Sequence, residues 1–358
     1  MYSDDSDEYS PDSSGEIVYE VLTEEDALLE KLKQVEPVMV EVLSSKGQLF
    51  SAIVNKRGSL TLQATPLGKR LMVALKNGTA EFSCYFPLYD LNPYVALLFE
   101  CAEKIDNPLL LSSVIGISPS EVKKAVVVMN SLVDDLRKEA IGNKFKKIIK
   151  KFEAAKNKRA RSLGQYIDSI FEKHSRMVVV RLDLAYETGF FSDRKYLQSY
   201  LEHVKADWAK LQRDLHQGIP IPGLLGFSCK LEYGHLKGFH LHLLVFYSGA
   251  DYREDVTLAK LIGEHWWREV TKGKGRYYNC NKKKVIYRFL GIGMINWFDT
   301  ELVSNLKAKV AAYLVKTDYW LRFSSKCGRS FFRGNMPKFE GVKQGRPRNQ
   351  LLADRSPK

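Results

Sequence analysis

The stretch that decides the architecture is Gly238-Phe239-His240-Leu241-His242-Leu243-Leu244-Val245-Phe246. A strand repeats every two residues, so His240 and His242 leave one face while Leu241 and Leu243 leave the other. Gly223–Tyr233 reads as a second strand, and the Gly234–Gly238 turn between them predicts a β-hairpin. If the hairpin centres on Leu236, Glu232 stands directly opposite His240, because eight is an even separation; a slip of one residue would turn it away. Two imidazoles about 7 Å apart along a strand can converge on one metal or phosphate. An isolated His-x-His more often marks a half-solvated strand face than a site. With a carboxylate added, the three groups form a plausible site for Mg²⁺ or Mn²⁺, with positions left open for phosphate oxygens.

Outward from the hairpin, Met177–Leu184 (MVVVRLDL) predicts a buried strand with Arg181 and Asp183 on one face. Ser192–Gln217, Asp255–Thr271 and Thr300–Lys316 predict helices, and Val285–Trp297 mostly strand. On the last helix Tyr313 and Lys316 are three apart and share a face. A phenol with a pKa near 10 is a poor nucleophile when neutral, and a neighbouring ammonium favours the phenolate. A core aromatic beside a surface lysine gives the same spacing. Tyr319 lies six residues beyond Tyr313, about 240° around a helix, so it is no second nucleophile on that face. His265, between Glu264 and Trp266, reads as a packing residue. Tyr277, Tyr278 and Tyr287 interleave with lysines and arginines, a pattern that suits single-stranded nucleic acid and equally a solvated loop.

The N-terminal half carries no legible chemistry. Alternations around Val38–Val42 and Ala52–Val54, with turns at Lys46-Gly47, Arg57-Gly58 and Asn77-Gly78, predict short strands. Helices follow at about Pro93–Ile105 and Pro119–Lys138, the second opened by the capping box Ser118-Pro119-Ser120-Glu121. Leu110–Val126 has a faint helix-turn-helix pattern, which a plain capped helix also explains. The whole divides into an acidic tail (1–16), an N-terminal mixed domain (17–140), a basic connector (141–160), a domain at 161–335 and a mostly basic tail (336–358). Helices mixed with antiparallel strands make the class α+β.

Charge is unevenly spread. The formal total is +13, yet residues 1–30 hold 11 acids and no Lys or Arg, so the remainder carries +24. Such a body attracts polyanions, although solubility alone would also account for a basic chain. The segment 143–161 holds nine Lys or Arg and one acid, Glu153. It reads as a helical connector, a DNA-contacting arm or a solvated face. Cys84, Cys101, Cys229, Cys280 and Cys327 form no CxxC pair, which disfavours zinc and fits a reducing compartment. The acidic N-terminus and the absence of an 18-residue apolar run predict no secretory signal and no membrane span. A cytoplasmic protein is expected. No G-x-x-x-x-G-K-[ST] motif occurs, so no P-loop is expected.

The order of these elements resembles the HUH endonucleases, in which a strand motif, a His-hydrophobe-His strand and a tyrosine-bearing helix follow one another. More narrowly, residues 160–335 resemble the gene II-type replication proteins of filamentous phages (inoviruses), which share a domain with the YagK/YfjJ prophage proteins. The residues carrying the likeness are Lys237–His242, Ile262–Trp267, Tyr277–Asn281, Gly291–Ile295, Tyr313–Thr317 and Gly328–Gly334. It implies an HUH/RRM-like antiparallel sheet flanked by helices. It further implies a rolling-circle initiator in which His240 and His242 bind Mg²⁺ or Mn²⁺, with Glu232 as third ligand. Tyr313 would attack the scissile phosphate and join the 5′ end, Lys316 would orient phosphate or nucleophile, and Arg181, Asp183, Arg329 and Arg333 would contact DNA. Implied partners are single-stranded origin DNA with a bacterial host's helicase and polymerase. A plasmid relaxase, a transposase and a non-catalytic nucleic-acid-binding module remain alternatives.

Overall fold

The computed structural model describes residues 24–76, 86–105, 118–191, 193–234, 237–311, 314 and 321–337. They form two compact units, one within Leu22–Lys156 and Asp318–Arg322, the other within Asn157–Thr317 and Phe323–Lys358.

The first unit opens with α1 (Glu24–Ser44). Val38–Val42, which alternates as a strand would, is therefore helical. Leu28, Leu32, Val35, Met39 and Val42 recur at three- and four-residue steps and are all buried, so the longer period wins. β1 (Phe50–Val54) and β2 (Leu60–Ala64) pair as a hairpin. α2 (Pro66–Lys76), β3 (Tyr89–Leu91), α3 (Pro93–Ala102) and α4 (Pro119–Ile141) follow. The expected capping box is present in full at Ser118 and Glu121. Buried Asn130 on α4 accepts from the Leu49 and Phe50 amides and donates to the Phe50 carbonyl, holding β1 against the helices. The turn at Asn77-Gly78 and the first part of the helix-turn-helix pattern, residues 110–117, lie outside the described residues.

Gly142 ends α4, and the expected basic connector is the start of α5 (Asn143–Lys173). The second unit centres on a sheet. Its strands are β4 (Arg176–Tyr186), β5 (Leu224–Gly234), β6 (Gly238–Ser248), β7 (Gly275–Asn279), β8 (Gly293–Asn296) and β10 (Phe331–Arg333). β9 (Leu321–Phe323) pairs with β3 instead. The order is β10-β5-β6-β4-β7, all antiparallel, and β8 also pairs with β4. The helices are α6 (Leu197–His216), α7 (Asp255–His265) with a π-helical continuation to Val270, and α8 (Thr300–Asn305) with another to Ala311. Most of the segment expected as strand at 285–297 is a 3₁₀ turn and loop, because β8 alone finds an edge to pair with.

The central strands β4, β5 and β6 present one largely apolar face. Val178, Val180, Leu182, Leu184, Leu241, Leu243, Cys229 and Leu231 are wholly buried there. α6 and α7 pack on this side through Trp208 against Phe227, and through Trp266, whose Nε1 donates to the Ala185 carbonyl at 3.1 Å. Gly263 allows the close approach of α7, since a Cβ there would meet the buried Tyr277 ring at 2.2 Å. Tyr277 is thus core, not a base-stacking residue. Arg276 and Lys274 pair with Glu187, and Lys284 with Asp255, so much of that basic loop is committed internally.

The opposite face is divided. Its lower half, with Met177, Val179, Leu244 and Phe246, joins one core cluster with Leu163, Tyr166, Ile167 and Ile170 of α5 and Leu306, Val310, Ala311 and Leu314. The Tyr166 hydroxyl reaches between Gly226 and Gly334, each of which would place a Cβ 2.2 Å from it. The upper half carries the polar residues considered below.

β7 and β8 occupy the same edge of β4 end to end, leaving the backbone around Val180 without a strand partner on that side. The Asn281 side chain fills the gap: its Nδ2 donates to the Val179 carbonyl at 3.0 Å, and its Oδ1 accepts from the Arg181 amide at 2.8 Å. Four described cysteines (Cys101, Cys229, Cys280 and Cys327) are buried and form no disulfide. No helix among the described residues is long and apolar enough to cross a membrane. Asn281→Leu keeps the number of heavy atoms but leaves two buried β4 groups unsatisfied, and should destabilise the protein by about 1–3 kcal/mol per group. Equilibrium urea unfolding of the variant against wild type measures it.

Candidate metal centre

The β5–β6 register pairs Glu232 with His240 and Gly234 with Gly238, the alignment that the even spacing requires. Glu232, His240 and His242 therefore leave the same face, and one ligand atom from each lies within 4.8 Å of the others. Glu232 Oε2 is 3.6 Å from His240 Nε2 and 3.4 Å from His242 Nε2. Two ligands at right angles around a cation, each bonded at about 2.1 Å, stand about 3 Å apart, so small rotamer adjustments suffice to close the set. Two imidazoles with one carboxylate suit Mn²⁺, Fe²⁺ or Mg²⁺ and leave further positions for oxygen ligands.

The surroundings decide which imidazole nitrogen is presented. His240 Nδ1 lies 3.1 Å from the Gly238 carbonyl, which can only accept, so Nδ1 carries the proton. His242 Nδ1 donates to Asp183 Oδ1 at 2.6 Å. Both histidines thus turn Nε2 toward Glu232. This carboxylate–histidine arrangement fixes ring orientation and raises ligand basicity. The side chains are 12% exposed at Glu232, 17% at His240 and 6% at His242, so the site opens on its His240 side.

The charges are strongly coupled. Burial alone would raise the Asp183 carboxyl, but His242, Arg181 and His240 outweigh it and hold it far below the carboxylate range. Burial likewise opposes ionisation of Glu232, and its bonds to the two histidines hold it well below its usual value. Burial alone would lower the His242 imidazole; Asp183 and then Glu232 reverse that and raise it to about 10. Without a cation, then, His242 is an imidazolium between two carboxylates.

The family resemblance implies DNA contacts for Arg181 and Asp183. The structure places Asp183 behind His242, with Arg181 Nη2 3.9 Å from its other oxygen. Arg333 is engaged in packing: its Nε donates to Ser162 Oγ, and its guanidinium lies 5.2 Å over the Tyr166 ring. Arg329 is exposed beside β10, stacked 5.3 Å over Phe332. Tyr313 and Lys316 lie outside the described residues, as does Tyr319. Their neighbour Leu314 belongs to the cluster containing Val179 and Leu244, on the sheet face that carries His242. Lys230 was missed. It is buried, opposes His242 in the register and bonds to Ser330 Oγ at 3.4 Å. Its two-residue offset from Glu232 was the available signal. His265 bonds to Asp214 at 2.8 Å, as a packing residue would.

Two outcomes follow. Titration calorimetry with Mn²⁺ should detect one site, lost in Glu232→Gln and in His242→Ala and weakened about 10–100-fold in Asp183→Asn, which removes only the group behind a ligand. In EDTA, the raised His242 value makes its stabilising contribution complete below about pH 6.5 and lost as pH rises toward about 10. The depressed carboxylates contribute only above their ordinary range and fail in acid. Thermal stability in EDTA should therefore fall from pH 7 to 10, and Asp183→Asn should flatten that fall.

The family model of the YagK/YfjJ C-terminal domain matches residues 139–320, half of the chain, and spans every strand and histidine of this centre. No curated protein and no solved structure matches the chain. On this match, which takes in β4 to β8 and the candidate metal centre, the chain belongs to the YagK/YfjJ C-terminal domain family.

Proposed function

We propose that the chain is an HUH-type endonuclease that nicks and rejoins single-stranded DNA at an origin, as the initiator of rolling-circle replication. The observation that carries this reading is the convergence of Glu232 Oε2 with the Nε2 atoms of His240 and His242, each ring held by its other nitrogen. A cation bound there, Mg²⁺ or Mn²⁺, would draw charge from the non-bridging oxygens of a phosphodiester. The likeness to the filamentous-phage proteins supplies the rest. Tyr313 is the nucleophile: its phenolate oxygen forms the bond to phosphorus, the bond to the 3′ oxygen breaks, and that oxygen takes a proton to leave a free 3′-OH. The 5′ end stays on Tyr313, and attack by a 3′-OH reverses the step and rejoins the strand. Lys316 favours the phenolate. Leu314, next to Tyr313 in the sequence, packs on the sheet face that carries the histidines. With no P-loop motif in the sequence, a host helicase opens the duplex and a host polymerase extends the 3′-OH.

The test uses labelled single-stranded oligonucleotides tiled across the DNA flanking the gene, incubated with Mn²⁺ and run on a denaturing gel. Wild type should leave the downstream fragment linked to protein through its 5′ phosphate and release the upstream fragment with a free 3′-OH. Tyr313→Phe should lose cleavage by at least 10³-fold, on the order of a missing nucleophile, while still binding Mn²⁺. Full nicking by Tyr313→Phe would sink the assignment. DNA binding that survives both Tyr313→Phe and the double change His240→Ala with His242→Ala, with no cleavage by wild type, would make the domain a binding module. The sequence of the cleaved site separates an origin from a relaxase or transposase target.

A further inference from the structure

We infer that the N-terminal turns of α5 form a contact surface for the phosphate backbone of double-stranded DNA, separate from the metal centre. Lys144, Lys146, Lys147, Lys150 and Lys151 fall within eight residues, and all five are exposed. Three features of this stretch oppose its own stability. Lys144 and Lys147, Lys147 and Lys150, Lys147 and Lys151, and Lys146 and Lys150 are like charges three or four residues apart, the spacing at which side chains on a helix repel. The cluster begins at the residue after Asn143, the first of the helix, so it faces the positive end of the helix dipole. Among the described residues none of the five side chains enters an ion pair or hydrogen bond. A merely solvated face would mix acids among the bases, and Glu153 is the single acid between 143 and 161. A polyanion relieves all three conflicts together.

The shape favours a duplex. Phe145, Ile149 and Phe152 take the opposite side of the helix, and Phe145 packs edge-on against Tyr94 at 5.6 Å. The lysine face therefore has no ring on which to stack an unpaired base, as single-strand binders do. Lys144, Lys147 and Lys151 form one row spanning about 10 Å of helix axis. About three phosphates of one strand occupy the same length of B-DNA. The choice of DNA among polyanions rests on the nicking activity proposed above.

The test is fluorescence anisotropy of the full chain with a labelled duplex in EDTA, so that the metal centre takes no part, between 50 and 200 mM KCl. The triple change Lys144→Gln, Lys147→Gln, Lys151→Gln should weaken binding tenfold or more at 100 mM. It should also cut the slope of log K against log salt by about 2–3, at about 0.9 per phosphate contact. The matching triple change to Arg should retain both, and Mn²⁺ titration of the Gln variant should match wild type, showing it folded. Equal duplex affinity of wild type and the Gln variant overturns the inference. So does a loss on the triple Gln change that is larger for a single strand than for the duplex, or a preference of wild type for polyglutamate, the latter marking an acidic protein partner. Duplex binding that depends on these lysines without any nicking removes only the nicking reading; nicking without such dependence removes only this inference.

Discussion

The parity of one hairpin governs the candidate centre. Because Glu232 and His240 are paired across β5 and β6, three side chains from two strands share a face. The apolar residues alternating with them (Leu231, Phe239, Leu241 and Leu243) seal the other face, so the ladder cannot slip without exposing a core and burying a charge. The register is thus held by hydrophobic burial on one side of the sheet, and the metal geometry on the other side is its consequence.

β4 supplies what the hairpin lacks. Lying beside β6, it sets Asp183 against His242 Nδ1 and Arg181 next to Asp183. Its outer edge is discontinuous, and the Asn281 amide replaces the missing strand at the residues that carry these side chains. Asn281 also donates to Asp255, which binds Lys284, so the edge repair is tied to the start of α7 and to the 3₁₀ turn. Two imidazoles oriented from behind and a carboxylate in front make a centre organised before any ligand arrives.

The sheet is used asymmetrically. Its apolar face lies against α6 and α7 and explains the packing glycine Gly263 and the buried Tyr277. Its other face is half covered by α5, α8 and Leu314 and half polar. α5 changes character along its length. From Leu163 onward it is an amphipathic core helix, whereas its first turns expose lysines that repel one another at the positive end of the helix dipole. Where a sequence breaks local rules without compensation inside the fold, the compensation is sought in a partner.

Much of this was legible in the sequence because it depends on short periods. Period two separated His240 and His242 from Leu241 and Leu243 and aligned Glu232 with them; the capping box marked the start of α4; residue counting exposed the basic stretch. The same local logic misread Val38–Val42, where a two-residue alternation lay inside a helical stripe visible only over twenty residues. Only the tertiary structure decided that Asp183, 59 residues before His242, bonds its imidazole. It likewise decided that Tyr277 is core, that Arg333 anchors α5, and that Asn281 completes a strand 100 residues away. Those contacts join strands adjacent in space and remote along the chain, and strand order is set by how apolar faces are covered, which no local pattern encodes.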